Sequence, residues 1–187
     1  MDYVLSIKQE EDHLLLAIQR KERWAMRKLY EDNYSLLYPV CMRYAQNEED
    51  AQDIIHDGFI KIFKNISKYQ SGSSLISWMK RIMVNSSIDH YREKKRKQTE
   101  EITPIIHLRT DKVDVISSMS EKEIIDALRL LSPTYRTVFN MFVVEGYSHR
   151  EIADSLNITE STSRSNLVKA RNKLKEILLS KDGFYEE

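Results

Sequence analysis

Near its C-terminus the chain reads Glu145-Gly146-Tyr147-Ser148-His149-Arg150-Glu151-Ile152-Ala153-Asp154-Ser155-Leu156. Ser148 can cap a helix here, and Glu151, three residues later, completes a capping box. Asn157 and Ile158 then supply a turn, and Thr159 can cap a second helix. The sequence therefore predicts a helix-turn-helix that begins at residue 148.

The second helix of this motif has two unlike sides. Its inner side is predicted from apolar residues that recur every three or four positions: Leu167, Ala170, Leu174 and Leu178. Residues 161–175 include five basic residues and no acidic one. The outer side carries small polar side chains and cations, which suit base edges and phosphates in a major groove: Ser161, Thr162, Arg164, Ser165, Asn166 and Lys169. We predict that this helix binds duplex DNA; the alternative is a solvated helix in an ordinary bundle.

The whole chain is predicted to be all-α. It has 187 residues with only 4 Gly and 3 Pro, and its apolar periodicity is helical almost throughout. We predict two small helical domains joined by a flexible linker, the second domain being the helix-turn-helix: residues 1–97, linker 98–120, and residues 121–187. Besides the motif itself, helices are predicted at 10–19, 23–44, 49–66, 75–94, 121–131 and 133–144. Ser132 can cap the last of these, with Pro133 at its first position. The linker contains Pro104 and scattered Thr and Ser without a sustained period.

No set of residues supports catalysis or metal binding. The chain lacks a nucleophile–base–acid triad and a Gly-rich phosphate loop, and the trio Asp53, His56 and Asp57 lacks further ligands. We expect neither an enzyme nor a cofactor nor a metal. The single cysteine, Cys41, fits a reducing compartment, and no signal peptide or apolar segment of membrane-spanning length is visible. A cytoplasmic protein without membrane insertion is expected.

The charges are segregated although the net charge is zero. Residues 47–57 hold five acids and no Lys or Arg, and Asp50, Asp53 and Asp57 stand about one turn apart on the polar side of an amphipathic helix. Such a stripe predicts a protein partner rich in Arg or Lys. The alternative is a solvated acidic face.

A basic helix follows the acidic one. Residues 78–97 hold seven bases and two acids, and Trp78, Arg81, Asn85, Asp89 and Arg92 fall within one narrow stripe. An aromatic ring beside Arg and Asn suits stacking on an unpaired base and hydrogen bonding to its edge. The alternative places Trp78 in the core and leaves the basic run solvated.

In this order, these segments resemble bacterial sigma factors of the extracytoplasmic-function (ECF) group, which direct RNA polymerase to promoters. Residues 50–59 are similar to the family's polymerase-binding helix, and residues 77–85 to its promoter-melting helix. Residues 131–148 are similar to the entry into its domain that reads the minus-35 element. The resemblance implies binding to core RNA polymerase, promoter recognition, strand opening at the minus-10 element and transcription initiation.

The resemblance also implies site residues and partners. The polymerase-binding residues would be Asp50, Asp53, Ile54, Asp57 and Phe59. The residues on minus-10 DNA would be Tyr69, Trp78, Arg81, Asn85 and Arg92. The residues on minus-35 DNA would be Ser161, Thr162, Arg164, Ser165, Asn166 and Lys169. Implied partners are the clamp helices of the largest polymerase subunit, the polymerase flap region, and promoter DNA, both duplex and single-stranded. An anti-sigma factor is a further candidate.

The chain departs from the family pattern at several positions. Gly58 stands where Ala or Thr is usual, and Tyr69-Gln70-Ser71 replaces a common Phe-Arg-Gly. Ser163 stands where Val is usual, and Asn166 where a basic residue is common. Two alternatives therefore stay open: a freestanding helix-turn-helix regulator, and a sigma-like adaptor that recruits polymerase to DNA addressed by another protein.

Overall fold

The computed structural model describes residues 2–70, 73–98 and 121–182. Within these ranges the chain forms eight α-helices: α1 (Asp2–Gln19), α2 (Arg23–Met42), α3 (Glu48–Asn65), α4 (Leu75–Gln98), α5 (Glu121–Arg129), α6 (Pro133–Phe139), α7 (His149–Leu156) and α8 (Glu160–Asp182). The all-α prediction is confirmed, and each predicted helix is present. Apart from residue 98, the last of α4, the predicted linker lies outside the described residues. None of the described helices has the length and apolar content to span a membrane.

The chain divides into two compact units. Unit 1 comprises Met1–Cys41 and Glu49–Ser86, and unit 2 comprises Met42–Glu48 and Ser87–Glu187. The domain limits predicted from the sequence, at residues 97 and 121, stay predictions.

Unit 1 is built around the apolar sides of α1, α2, α3 and the first half of α4. Its core contains Leu15, Ile18, Leu29, Leu37, Ile54, Ile55, Phe59, Ile62, Met79 and Met83, all buried. The rings of Tyr30 and Phe59 join α2 to α3, with their centroids 4.5 Å apart. Because one side of α3 is buried in this way, its other side is turned towards solvent.

Gly58 permits the close approach of α3 and α4. A Cβ atom at this position would lie 2.2 Å from the Sδ atom of Met83, far inside van der Waals contact. Met83 is fully buried, so its thioether occupies the space that Ala or Thr would need. The departure from the family pattern at Gly58 therefore has a packing reason.

Unit 2 contains the predicted helix caps. The Ser132 hydroxyl accepts from the Tyr135 amide at the start of α6. Ser148 and Glu151 form the capping box of α7, and Asn157 ends that helix in the left-handed conformation. The Thr159 hydroxyl accepts from the Thr162 amide, 3.1 Å away, at the start of α8. All these caps were predicted from the sequence, and they are confirmed.

Unit 2 also buries a charged side chain that the sequence did not predict. The Arg136 guanidinium on α6 donates to the carbonyl oxygen of Leu131, 3.2 Å away, and to that of Ala45. Nearby, the Asn140 side-chain amide donates to the Arg43 carbonyl over 2.7 Å. Backbone acceptors thus replace the water that the guanidinium loses.

Gly58→Ala should destabilise the protein. Ala is the better helix former by about 1 kcal/mol, but overpacking against Met83 should cost about 1–3 kcal/mol. We therefore expect a lower free energy of unfolding in urea. In a Met83→Ala background the same substitution should no longer destabilise. A higher free energy of unfolding for Gly58→Ala alone would contradict this account.

Candidate functional site

The acidic face of α3 is smaller than the sequence predicted. Asp53 and Asp57 are exposed, but Asp50 is only 6% exposed and has interactions within the protein. The expectation that all three carboxylates share one solvent face is therefore wrong. Asp50 lies in the first turn of α3. Periodicity alone places this position on the polar side of the helix, but other residues of the protein cover it.

Two other residues predicted to bind polymerase lie inside the core. Ile54 and Phe59 are buried in the core of unit 1, so they hold the helix in place and cannot touch a partner directly. Ile60, in contrast, is 48% exposed and follows Asp57 by one turn. Ile60 was not predicted from the sequence, although an apolar residue at a polar-face position was a readable signal.

The stripe on α4 is partly confirmed. In unit 1, Arg81 and Asn85 are exposed and Trp78 is half-buried. These three side chains therefore reach solvent along one line of the helix. Tyr69 lies behind this line and is buried. Its ring centroid is 5.7 Å from that of Trp78.

Tyr69 is held from two sides. Its hydroxyl is shared between the carboxylate of Glu11, 3.1 Å away, and the carbonyl of Ser73. Burial, more than its neighbour Glu11, raises the pKa of the Tyr69 hydroxyl. The expectation of an open Tyr69 on DNA is not met in this structure, because the ring supports Trp78 instead.

Arg92 belongs to unit 2 and has partners within it. Its Nε atom donates to the Ser155 carbonyl, and its guanidinium lies 3.4 Å from the Asp89 carboxylate. The side chain remains exposed. Arg92 is therefore an exposed cation suited to phosphate, and a local ion pair holds it in place.

The outer side of α8 presents most of the residues predicted for duplex DNA. Ser161, Thr162, Arg164 and Ser165 are exposed, and Lys169 is half-exposed. Leu167, Ala170, Leu174 and Leu178 are buried, as predicted. Arg164 pairs with Glu160, one turn earlier, over 2.6 Å.

Asn166 is the exception on α8. It is 9% exposed, so the expectation that it faces outward is wrong. At about 100° per residue it lies only about 60° around the helix from Ser163, which points inward. Adjacent positions 164, 165 and 166 cannot all share one face.

A polar contact that the sequence analysis missed connects α7 to α8. The His149 Nδ1 atom lies 2.9 Å from the hydroxyl of Ser163, which is fully buried. The His149 ring also stacks on Phe142, with centroids 4.4 Å apart and planes inclined by 23°. Burial, followed by the charge of Arg164, lowers the pKa of His149; Arg171 acts in the same direction and Glu160 opposes them.

Comparison with known proteins assigns both halves of the chain. The model of sigma-70 region 2 matches residues 29–97, and that of sigma-70 region 4 matches residues 121–174. The ECF RNA polymerase sigma factor SigM of Mycobacterium tuberculosis is 26% identical over 168 residues, which cover 88% of this chain and 83% of SigM. SigW of Bacillus subtilis is 28% identical and is matched over 80% of this chain and 85% of its own length. The sigma factor RpoE of Bartonella quintana, solved with the anti-sigma factor NepR, has a TM-score of 0.46 at 20% identity and covers 92% of this chain and 96% of its own.

The chain thus belongs to the sigma-70 family of RNA polymerase sigma factors, within its ECF group. It is a sigma factor that directs promoter recognition, and its partners are core RNA polymerase and promoter DNA. Proteins of this family are not enzymes.

Protonation of His149 should couple to stability. Because its pKa is lowered by folding, the unfolded chain takes up the proton first as the pH falls below about 6.5. Stability is therefore lost through this window, until the pH falls below the folded-state pKa. As the pH falls from about 8 to about 5, we expect the free energy of unfolding of the His149→Asn variant to rise relative to that of the unaltered protein. A difference that stays constant over this range would contradict the lowered pKa.

Proposed function

We propose that three solvent-facing helix surfaces divide the work of initiation. The acidic face of α3 (Asp53, Asp57 and Ile60) binds core RNA polymerase. The stripe of Trp78, Arg81 and Asn85 on α4 binds the opened minus-10 strand. The outer side of α8 reads the minus-35 duplex. The observation that carries this proposal is exposure: on each helix, side chains suited to the partner face solvent while the opposite side forms a core.

The α3 surface suits a basic protein partner. Two carboxylates one turn apart repel each other in the free protein, and cations on a partner relieve that repulsion and speed the encounter. Ile60 adds an apolar contact beside them, at the centre of which water can be excluded. We assign the clamp helices of the largest polymerase subunit to this face, on the family resemblance.

The α4 surface suits an unpaired base. The Trp78 ring lies 5.7 Å from that of Tyr69, tilted by 56°, and the side chain is only half-buried, so part of the ring is accessible for stacking. Arg81 and Asn85 are exposed and can reach phosphate and base edges. Arg92 extends the same helix with a further cation. Strand opening then follows from binding energy that only the single strand can supply.

The α8 surface suits the major groove. Ser161, Thr162 and Ser165 are short and polar and allow close approach, whereas Arg164 and Lys169 can reach phosphates or guanine edges. Asn166 is left out of this surface because of its burial. We place the protein in the bacterial cytoplasm, where polymerase and chromosomal DNA are. The polymerase flap region and an anti-sigma factor enter the proposal as further partners on the family resemblance alone.

Replacing both Asp53 and Asp57 by Asn should weaken binding to core polymerase about tenfold or more, mainly through slower association. Asn keeps the shape and removes the charge. The measurement is surface-based binding kinetics of the full chain to core polymerase at two salt concentrations. The matched control replaces Glu31 and Asp32, two exposed acids on α2, by Gln and Asn. Equal losses for both pairs would reduce the effect to net charge and sink the assigned face.

Trp78→Ala should spare core binding but lower the yield of open complex about tenfold, since base stacking contributes about 1–3 kcal/mol. Permanganate footprinting of unpaired thymines measures this directly. Trp24→Ala is the matched control, because Trp24 is the other tryptophan, lies in the same unit and is 49% exposed. A normal footprint with Trp78→Ala would contradict its role in strand opening.

A further inference from the structure

The first turn of α8 has one side chain that faces inward among its polar residues. Ser163 is fully buried, and its hydroxyl is in hydrogen-bonding contact with His149. At about 100° per residue, Ser161 and Ser165 each lie within about 20° of the direction opposite Ser163. Thr162 and Arg164 lie on the two flanks. The direction of Ser163 therefore sets which side chains of α8 face outward.

His149 is itself held firmly. It is the first residue of α7, directly after Ser148. The capping box fixes this helix start: the Ser148 amide donates to the Glu151 carboxylate over 2.8 Å, and the Glu151 amide donates to the Ser148 hydroxyl over 3.2 Å. The imidazole stacks on the ring of Phe142, which follows α6. The guanidinium of Arg171 lies 6.0 Å from the centroid of that Phe142 ring. The His149 ring thus contacts Phe142, in the segment before α7, and Ser163, on the helix after α7.

We propose that the His149–Ser163 hydrogen bond fixes the rotation of α8 about its own axis, which makes His149 a positioning residue for recognition of duplex promoter sequence. This inference rests on the proposed reading of minus-35 DNA by the outer side of α8. An apolar contact at this position would allow α8 to turn by small angles at little cost, because packing is not directional. A hydrogen bond requires alignment of donor and acceptor, so it restricts that freedom.

The surroundings of His149 favour a neutral imidazole. On α8, the cations of Arg164 and Arg171 oppose a charge on His149, and Glu160 favours one. Phe142 carries no charge, and Glu151 on α7 is engaged in the capping box. Protonation places a third positive charge next to Arg164 and Arg171, and the repulsion weakens the contact between the ring and α8. Sequence discrimination by α8 should therefore weaken in mildly acidic solution.

The test selects promoters from a duplex library in which the minus-35 and minus-10 regions are both randomised, with holoenzyme assembled from core polymerase and the full chain. His149→Phe keeps the ring stack and removes the hydrogen bond, as does Ser163→Ala. His149→Asn places an amide where Nδ1 stood and should rescue. We expect the two disrupting variants to lower the enrichment of the preferred minus-35 sequence about fivefold, the equivalent of one neutral hydrogen bond. The minus-10 enrichment, measured in the same molecules, should stay unchanged.

Four outcomes decide the matter. Loss confined to the minus-35 element, with rescue by His149→Asn, supports the inference. Its support extends to the protonation step if the unaltered protein loses minus-35 enrichment as the pH falls from about 7 to about 5 while His149→Asn retains it. Unchanged minus-35 enrichment in both disrupting variants overturns it, and so does an equal loss at both elements, which indicates a general effect on folding. If the unaltered protein enriches no minus-35 sequence, the proposed function of α8 fails together with the inference.

Discussion

The burial of one side of α8 is the constraint on which the proposed recognition of duplex DNA depends. Leu167, Ala170 and Leu174 lie in the core of unit 2, and their burial turns the opposite side of the helix towards solvent. Ser161, Arg164 and Ser165 are therefore aimed outward by apolar packing several residues away. In the proposed function, core formation thus sets which side chains of α8 can read DNA sequence. Ser163 adds one directional contact to this packing.

Unit 1 follows the same logic with a different device. The approach of α3 and α4 at Gly58 and Met83 sets the distance between the two helices, and it turns Asp53 to solvent on one and Trp78 on the other. A change at Gly58 would therefore disturb both proposed binding surfaces through one contact. That a glycine interrupts a binding helix at a cost in helix propensity is understandable once the thioether beside it is seen.

The sequence predicted the elements and their caps well, because these depend on local chemistry. Periodicity gave every helix, and Ser132, Ser148 and Thr159 cap the helices they were assigned to. The residues that were misplaced depend on tertiary neighbours. Asp50 and Tyr69 are of residue types that are common at a surface, yet other residues of the protein bury them.

Two further features were outside the reach of a pattern. Arg136 is buried and donates to the carbonyl groups of nearby Leu131 and of Ala45, far away in the sequence, and no periodicity reports where a backbone acceptor will lie. The His149–Ser163 contact joins residues fourteen positions apart across a turn. Asn166 was a different failure: the helical period alone, applied strictly from Ser163, would have placed it near the inner side.

Transcription in vitro tests the central claim most directly. Core RNA polymerase would be incubated with fragmented genomic DNA, with and without the protein, and the transcript starts mapped. The account predicts discrete new start sites that share two upstream elements, and their loss when Asp53 and Asp57 are both replaced by Asn. Binding to core polymerase without any new start would contradict it and favour an adaptor that needs a separate DNA-targeting partner. Absence of binding to core would contradict it outright.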